Sequence, residues 1–451
     1  MALTAPARAA AALRQHFTTN RLRQAAYAPL LATGMAIMFA RLLVMAHILP
    51  VEEFAGLSAG LIVSALVSTA ACLGLYLDLQ RTLPVMMVKR RLRAASAALG
   101  RTVIAGLLLG VLGAAVVATG ITIGGAGSAI MLLGLVHGVA QQLFLVVTTE
   151  SRSNNEPMRY AVQHFVRSLA SVAIGIGLAL EMGTAFGVLL GEVAVAIVAV
   201  VWISAGVARR LGSTTGRTAA LGLRSLRSIS WLSMASLLSY SLAGAVSIQA
   251  DRWLSSVTLP AAVFAQYSFA WVVVIAALYV QALINASVYP VMAQRFALAG
   301  PARTFRFAAL SSAVLLACCI VAAAPSLLVA NALVAAYLPK YEPALSILPL
   351  LTVAAILRVC DFFSSLAIIA GRERQMLAVT IVTSGATLAL WYAVSGAGGI
   401  TPEGLAWLAV ATAASSLLGG LAVAIHVGRS GGGGKPIAPE PDPARAAQMG
   451  G

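Results

Sequence analysis

Charged residues are scarce in this chain. They make up 10% of its 451 residues, whereas 60% are hydrophobic, and soluble domains carry roughly 25% charged residues. This balance excludes an ordinary soluble fold. Apolar runs of about 17–25 residues, long enough to cross a hydrocarbon core of ~30 Å as helices, recur along the whole sequence. The runs are continuous and lack the alternation of barrel strands. The sequence therefore predicts an all-α, polytopic membrane protein.

Acidic residues and cysteines are also few. The chain has 14 Asp and Glu residues against 30 Lys and Arg, a net charge of +16. The basic residues fall in short segments between apolar runs, a pattern typical of membrane-protein loops rather than of a nucleic-acid surface. The four cysteines have no metal-ligand spacing. We expect no metal, no cofactor and no nucleic-acid partner.

Motifs of catalysis are missing from the sequence. It has no Gly-x-x-x-x-Gly-Lys-[Ser/Thr] loop, so no ATP site is expected on this chain. The loops predicted on the external side of the membrane are only a few residues long, too short to build a soluble catalytic face. We expect a protein that is not an enzyme.

The apolar runs predict about twelve spans. The basic segments between them fall on one side of the membrane, which the positive-inside rule identifies as cytoplasmic, and both termini lie there. The first run is too long for the core of a signal peptide, so we expect it to remain as a span. The predicted spans are 25–49, 54–77, 102–123, 129–149, 160–180, 185–207, 229–250, 262–290, 307–330, 345–369, 376–395 and 404–427.

One short motif occurs twice. LPVEEFAGLS at 49–58 and LPAAVFAQYS at 259–268 share Leu, Pro, Phe, Ala and Ser at an offset of 210 residues (260 − 50). Each copy lies between two predicted spans, six spans apart, which indicates a parallel duplication. The predicted organisation is a basic cytoplasmic N-terminus (1–24), a six-helix lobe (25–207), a cytoplasmic linker (208–228), a second six-helix lobe (229–427) and a disordered cytoplasmic tail (428–451).

Charged side chains inside the predicted spans are candidates for function, because charge in hydrocarbon costs ~3 kcal/mol or more per group. Arg41 and Arg167 have no acid within one turn of their own helices, so each needs a partner elsewhere or an anionic ligand. Glu192 is the expected partner for Arg41, and Arg167 alternatively snorkels to the cytoplasmic end. Arg358 and Asp361, at i and i+3, either neutralise each other or serve a ligand.

The pair Asp251–Arg252 stands at the outer end of the seventh predicted span. The 210-residue offset places Asp251 at the position equivalent to Arg41. We expect these residues and Glu192 to form an outer ring of charge that closes an external gate. The alternative is that Asp251 and Arg252 only anchor the helix at the headgroups.

Uncharged polar residues follow single faces of several predicted helices. Such stripes are interpreted either as helix-packing contacts or as ligand contacts. A lone histidine in the fourth span has the same two readings, with a hydrogen bond to a neighbouring helix as the simpler one. The residues concerned are His137, Gln141, Tyr240, Gln281 and Asn285.

Several stretches resemble the polysaccharide-transporter branch of the MOP superfamily, the Wzx-type oligosaccharide flippases, which are related to MATE exporters and lipid II flippases. The resemblance covers residues ~25–427. It rests on DRWLSSVTLPAAVFAQYSFAW from Asp251, on Tyr289-Pro290, on AAYLPKYEPALSILPLL and on LPVEEFAGLSAG. Ala55 and Ala265 stand where that family commonly has glycine.

The resemblance implies two six-helix lobes around a cavity that opens to alternate sides of a bacterial inner membrane. The implied substrate is an undecaprenyl-diphosphate-linked oligosaccharide for O-antigen, capsule or exopolysaccharide synthesis, with proton or sodium as coupling ion and polymerase or export proteins as partners. Candidate cavity residues are Arg41, Arg167, Arg252, Arg358, Gln141, Tyr240, Gln281 and Asn285, and candidate gating or ion-coupling residues are Glu192, Asp251 and Asp361.

Three other functions stay open from the residues alone. A MATE-like exporter of cationic molecules would need net acid in its cavity, whereas the candidates here balance or lean positive. A polysaccharide polymerase or ligase is disfavoured by the small external loops. A non-transporting scaffold for glycan synthesis is the third.

Overall fold

The structure, a computed structural model, describes residues 5–119, 127–154, 156–229, 231–395 and 399–429. All regular structure in this part of the chain is helical, as the composition predicts. Most of the predicted tail, from residue 430 onward, and most of the predicted external turn around 124–128 lie outside the described residues.

Fifteen α-helices follow one another through these ranges, and short 3₁₀ turns occupy Leu226–Ser228 and Pro339–Ser346. In chain order the helices are α1 (Ala5–Ile48), α2 (Val51–Ala70), α3 (Leu75–Val88), α4 (Leu92–Ala118), α5 (Ser128–Ser153), α6 (Pro157–Met182), α7 (Ala185–Arg210), α8 (Thr215–Ser225), α9 (Trp231–Thr258), α10 (Ala261–Ala270), α11 (Val272–Tyr337), α12 (Leu348–Val359), α13 (Phe363–Ile369), α14 (Glu373–Ser395) and α15 (Pro402–Arg429).

Eleven helical segments in the described ranges are long and apolar enough to cross a membrane. Residues 231–250 of the predicted seventh span belong to α9, which is not among the eleven. Helix α9 has 28 residues, and its serines together with Gln249, Asp251 and Arg252 lower its apolarity. Its length of about 42 Å, at 1.5 Å per residue, still exceeds the hydrocarbon core.

Two predicted spans are interrupted where the sequence reads as continuous. The second breaks between α2 and α3, where Leu73 (φ 50°) and Gly74 (φ 79°) adopt left-handed conformations. A Cβ on Gly74 would lie 2.7 Å from the carbonyl oxygen of Met234, so only glycine fits this turn against α9. The tenth predicted span breaks at 360–362, between α12 and α13.

The repeated motif adopts the same local geometry in both copies. Pro50 (φ −53°, ψ 154°) and Pro260 (φ −54°, ψ 148°) each precede the first residue of a helix. The amide of Phe54 donates to the carbonyl of Pro50 and that of Phe264 to Pro260, both at 2.9 Å. The shared motif therefore encodes one turn used twice, whereas superposition of two whole lobes stays a prediction.

The chain separates into two compact units. The first contains Met1–Val272, Asn331–Leu348 and Ile400–Leu405. Its helices α2 and α5 pack closely, as do α4 and α8, and a core including Leu79, Leu83 and Phe144 lies beneath them. The predicted linker 208–228 is thus largely a helix packed onto α4, and the predicted lobe boundaries stay a prediction.

The second unit contains Val273–Ala330, Pro349–Gly399 and the segment from Ala406 onward. Its core is built around Met292, Phe362, Phe363 and Leu366. Gly300 (φ 80°) interrupts α11 within this unit, so that α11 consists of two helical segments joined at one residue.

Candidate functional site

A buried cluster of charged and polar side chains joins α1, α2, α5 and α7 in the first unit. Nη1 of Arg41 donates to Oε2 of Glu192, which confirms the pairing predicted from their depths. Nε2 of His137 lies 3.4 Å from the same carboxylate oxygen, and its Nδ1 lies 2.8 Å from Oγ of Ser64. We call Arg41, Ser64, His137 and Glu192 the ion-pair cluster.

Close backbone approach between α2 and α5 sets the position of this cluster. A Cβ on Gly138 would lie 2.5 Å from the carbonyl oxygen of Ser64, and a Cβ on Gly134 would lie 2.5 Å from that of Gly60. These glycines therefore let the two helices touch backbone to backbone, which brings Ser64 against His137. The sequence singled out His137 but gave no sign of Ser64 as its partner.

Only one of the two carboxylate oxygens of Glu192 has a partner in the described part of the chain. Its Oε2 atom meets both Arg41 and His137, whereas its buried Oε1 atom has no hydrogen-bond partner in the described part of the chain. The side chain is 1% exposed. A buried carboxylate oxygen of this kind can accept a proton or a cation.

Arg167 lies on α6 and turns toward α5. Its guanidinium donates to Oε1 of Gln141 and lies 4.4 Å from the centre of the Phe144 ring. The side chain is buried. Of the two readings left open by the sequence, this geometry favours an inward-facing arginine over one that snorkels to the membrane surface, and it brings the predicted residues Arg167 and Gln141 together.

Asp251 and Arg252 are both buried near the end of α9. Oδ2 of Asp251 accepts hydrogen bonds from the hydroxyl of Tyr267 (2.6 Å) and the indole of Trp271 (2.9 Å). The Arg252 guanidinium lies 4.9 Å from the Trp271 ring and donates to the carbonyl of Ser58 at 3.5 Å. The pair therefore ties α9 to α10 and to α2 through contacts the sequence did not reveal.

The turn Pro339–Ser346 packs on the two repeated turns. The Tyr341 ring stacks on Phe269 at 4.5 Å and meets Phe54 edge-on at 5.6 Å. Nζ of Lys340 donates to the carbonyl oxygens of Leu49 (2.6 Å) and His47 (3.2 Å), at the end of α1. Burial raises the pKa of Tyr341, and the nearby Glu52 carboxylate raises it further. The resemblance flagged this stretch, but the role of Lys340 as a cap of α1 was missed.

The second unit holds the remaining candidates. Arg358 is buried and donates to Oγ1 of Thr412 at 3.3 Å, and Gln281 donates to the carbonyl of Arg358 at 2.9 Å. Asp361 accepts from the amide (3.1 Å) and hydroxyl (2.6 Å) of Ser364 and so caps α13. Arg358 and Gln281 are brought together, whereas Asp361 serves the helix break. Tyr240, in the first unit, and Asn285, in the second, are half-buried.

Several solved structures, among them MATE family transporters, are similar to this chain in fold. A MATE protein in complex with MaL6 matches with a TM-score of 0.60 at 14% identity, covering 90% of this chain and 95% of that one. A multidrug resistance MATE family transporter of the MOP superfamily matches in its inward-facing conformation (TM-score 0.55, 14% identity, 88% and 93% covered) and in its outward-facing one (0.54, 13%, 91% and 94%).

These similarities show the fold, which is that of the MATE transporters of the MOP superfamily. No model of a known protein family matches the chain, and no curated protein matches it. The all-α, multi-pass architecture predicted from the sequence is confirmed. The narrower resemblance to Wzx-type flippases rests on the quoted motifs.

Proposed function

We propose that this protein is a flippase that moves an oligosaccharide linked to a polyprenyl diphosphate across a bacterial inner membrane by alternating access. The proposal combines the MATE-type transporter fold with the chemistry of the buried side chains. A carrier lipid of this class presents a diphosphate that must leave water, and it requires cationic partners along its path.

The observation that carries this proposal is the state of the buried carboxylates. Glu192 binds Arg41, and Glu150 lies 3.0 Å from Arg159. Asp251 binds Tyr267 and Trp271, and Asp361 binds Ser364. Each acid thus has a counter-charge or a hydrogen-bond donor from the chain itself, although Oε1 of Glu192 is left over for the ion coupling proposed below. The candidate residues therefore offer little negative charge to a cationic substrate.

Buried arginines supply the complementary charge. Arg41, Arg167, Arg252 and Arg358 are each at most 8% exposed and lie on four different helices. The planar fork of a guanidinium fits two phosphate oxygens at once. We assign Arg167 and Arg358 to binding of the diphosphate, and Arg41 and Arg252 to the outer gate together with Glu192 and Asp251.

The ion-pair cluster is the proposed coupling site. Glu192 Oε1 is buried with no described partner, and His137 lies within reach of the same carboxylate. Proton or sodium binding at Glu192 would weaken its hold on Arg41, because the carboxylate charge is then neutralised or shared. Release of Arg41 in turn removes the ion pair that links α1 to α7.

The test is reconstitution of the purified protein into liposomes. We expect it to accelerate the movement of a short-chain polyprenyl-diphosphate oligosaccharide between leaflets, and not to accumulate a cationic dye. The Arg167→Ala/Arg358→Ala variant should lose flipping, whereas Arg→Lys at the same sites should retain part of it because the point charge remains. Arg224→Ala, at an exposed residue of α8, is the matched control.

A MATE-like exporter of small cations is the second candidate, and it is favoured by the similarity in fold to a multidrug resistance MATE family transporter. Dye transport driven by a proton or sodium gradient, with no effect on the lipid substrate, would establish that function and overturn the flippase. Near-wild-type flipping by the double alanine variant would rule out the cationic path.

A further inference from the structure

Helices α6 and α7 enclose a groove of about 960 Å³ whose lining comes entirely from these two helices. This volume is at the upper end of the ~300–1,000 Å³ typical of ligand sites. The helices are antiparallel neighbours joined by a short turn at 183–184, so the start of α6 and the end of α7 lie at the same end of the groove.

One end of the groove is basic. Arg159 stands in the first turn of α6, Arg209 and Arg210 end α7, and Arg167 lines the groove two turns further along α6. These four arginines belong to the side of the membrane where the positive-inside rule places the cytoplasm.

Part of this charge is compensated within the chain. Arg159 lies 3.0 Å from Glu150 and 2.8 Å from Glu156, and Arg210 lies 3.0 Å from Glu156. Arg209 has no ion pair in the described part of the chain. Its Nε donates to the carbonyl of Ala205 at 3.3 Å, and the side chain is exposed. The basic end therefore keeps an excess of positive charge at the surface.

The rest of the groove is apolar and exposed. Val162, Val166 and Ile174 on α6 are 43–48% exposed, and Val198 and Trp202 on α7 are 67% and 69% exposed. A row of large apolar side chains exposed along membrane-spanning helices is covered by lipid chains, because water there would be unfavourable. Trp202 lies seven residues before Arg209, about 10 Å along the helix, which suits an indole ring just below the headgroups.

We propose that this groove binds an anionic phospholipid of the surrounding membrane, with its phosphate at Arg209 and Arg159 and an acyl chain along Val166, Val198 and Trp202. Basic recesses between spanning helices on the cytoplasmic side are suited to such headgroups. The negatively charged phosphate oxygens match the arginines, and the acyl chain matches the apolar side chains that line the groove. Arg167 lines the groove and also contacts Gln141 inside the bundle. A lipid held here therefore lies beside a residue of the proposed substrate path, although the lipid is not the substrate.

The experiment measures lipid binding by the purified full-length protein in detergent, by native mass spectrometry. Phosphatidylglycerol is titrated against the zwitterionic phosphatidylcholine, and inorganic phosphate is added as a competitor. Arg209→Gln should weaken phosphatidylglycerol binding about fivefold, the weight of one arginine near an anionic lipid. Arg217→Gln, an exposed arginine of α8 outside the groove, should leave it unchanged.

A second measurement locates the acyl chain of the bound lipid. The protein has six tryptophans, and brominated phosphatidylglycerol should quench more fluorescence in the wild type than in Trp202→Phe. Trp407→Phe, at another exposed tryptophan (58%), is the matched control. Both substituted residues are exposed, so the fold should persist, and the melting temperature of each variant checks this.

Three outcomes would overturn the proposal. Equal binding of the two lipids would show that the groove makes only ordinary apolar contact with the bilayer and does not select an anionic headgroup. Full competition by inorganic phosphate would make it a site for a soluble anion. Unchanged phosphatidylglycerol binding in Arg209→Gln would show that the arginines do not bind the phosphate of the lipid. None of these outcomes bears on whether the protein flips an oligosaccharide, because the assay contains no substrate.

Discussion

The buried ion pair between Arg41 and Glu192 joins α1 to α7, and neither charge can be removed alone without leaving the other in apolar surroundings. We expect Glu192→Ala to lower the free energy of unfolding by about 3–5 kcal/mol, because Arg41 then lacks its counter-charge. Glu192→Gln should cost less, since an amide oxygen can still accept from Arg41. Thermal unfolding in detergent measures both.

The double variant Arg41→Met/Glu192→Leu is the control for that prediction. Replacing both charges with apolar side chains removes the desolvation cost of each, so its stability should approach that of the wild type. The loss of stability in the double variant is compared with the summed losses in Arg41→Met and in Glu192→Leu. If the two are equal, the ion pair is not the source of the stability.

Two substitutions at Asp251 separate the contribution of its charge to stability from the contribution of its hydrogen bonds. One carboxylate oxygen accepts from both Tyr267 and Trp271, and an asparagine oxygen can do the same. Asp251→Ala should therefore destabilise the protein by about 1–3 kcal/mol for each buried donor left unsatisfied, whereas Asp251→Asn should have a small effect. Equal losses of stability would show that the charge beside Arg252 matters more than the two bonds.

Residue identity predicted some of these contacts and not others. The pairing of Arg41 with Glu192 followed from two opposite charges at matching depths, a property that can be counted along the chain. The partners of Asp251 lie 16 and 20 residues later and meet it only because α10 folds back on α9. Asp361 was expected either to neutralise Arg358 or to serve a ligand, but its carboxylate accepts from Ser364 instead, because a new helix begins there.

At the scale of whole elements, the contact between α4 and α8 depends on two glycines. A Cβ on Gly100 would lie 2.3 Å from the carbonyl oxygen of Thr218, and a Cβ on Gly222 would lie 2.4 Å from the carbonyl carbon of Gly100. Gly222→Ala should therefore push α8 off α4. Faster trypsin cleavage at Arg217, Arg224 or Arg227, relative to wild type, measures the release of α8.

Gly216→Ala is the matched control for α8, because a Cβ there meets nothing within 4 Å. Alanine favours helix over glycine by about 0.5–1 kcal/mol, so this variant should be cleaved no faster than the wild type. Equal acceleration in Gly216→Ala and Gly222→Ala would mean that the contact between the two helices does not hold α8.

Helix positions were largely predictable and helix breaks were not. Apolar runs mark spans because burial in lipid requires length and apolarity, and eleven described helical segments meet both conditions. The break at Leu73–Gly74 falls inside such a run, where its strained turn is stabilised by packing against α9 that local sequence does not encode. Gly300, in contrast, divides α11 within the basic segment that the sequence predicted between the spans 262–290 and 307–330.

At the scale of the whole chain, the candidate spans and the described contacts together predict how often it crosses the membrane. Phe54 and Phe269 both contact Tyr341, so the turns at Pro50 and Pro260 lie at the same membrane face. Five candidate spans lie between Pro50 and residue 211. An odd number of crossings leaves residue 211 at the opposite face, so α9 must cross the membrane to return the chain to Pro260.

The remaining spans agree with this count. Two candidate spans follow Pro260 and bring the chain back to the same face at residue 338, where Lys340 donates to the carbonyl of Leu49. Three more spans follow, and they end at the opposite face. Helix α1 begins at that opposite face too. Counting α9, we therefore predict twelve crossings, with both ends of the chain at the face that carries most of the basic residues.

Reporter fusions on either side of α9 test this topology. Alkaline phosphatase, which is active only in the periplasm, should be inactive when fused after Arg210 and active when fused after Pro260, because α9 separates the two positions. A cytoplasm-active reporter at the same positions should give the reverse pattern. Basic segments resist transfer across the membrane, so we expect the face that carries Arg209 and Arg210 to be cytoplasmic. The same activity at both positions would mean that α9, with its serines, Asp251 and Arg252, lies along one face of the membrane. That result would also remove the parallel relation between the two copies of the repeated turn, since six spans between them would no longer separate Pro50 from Pro260.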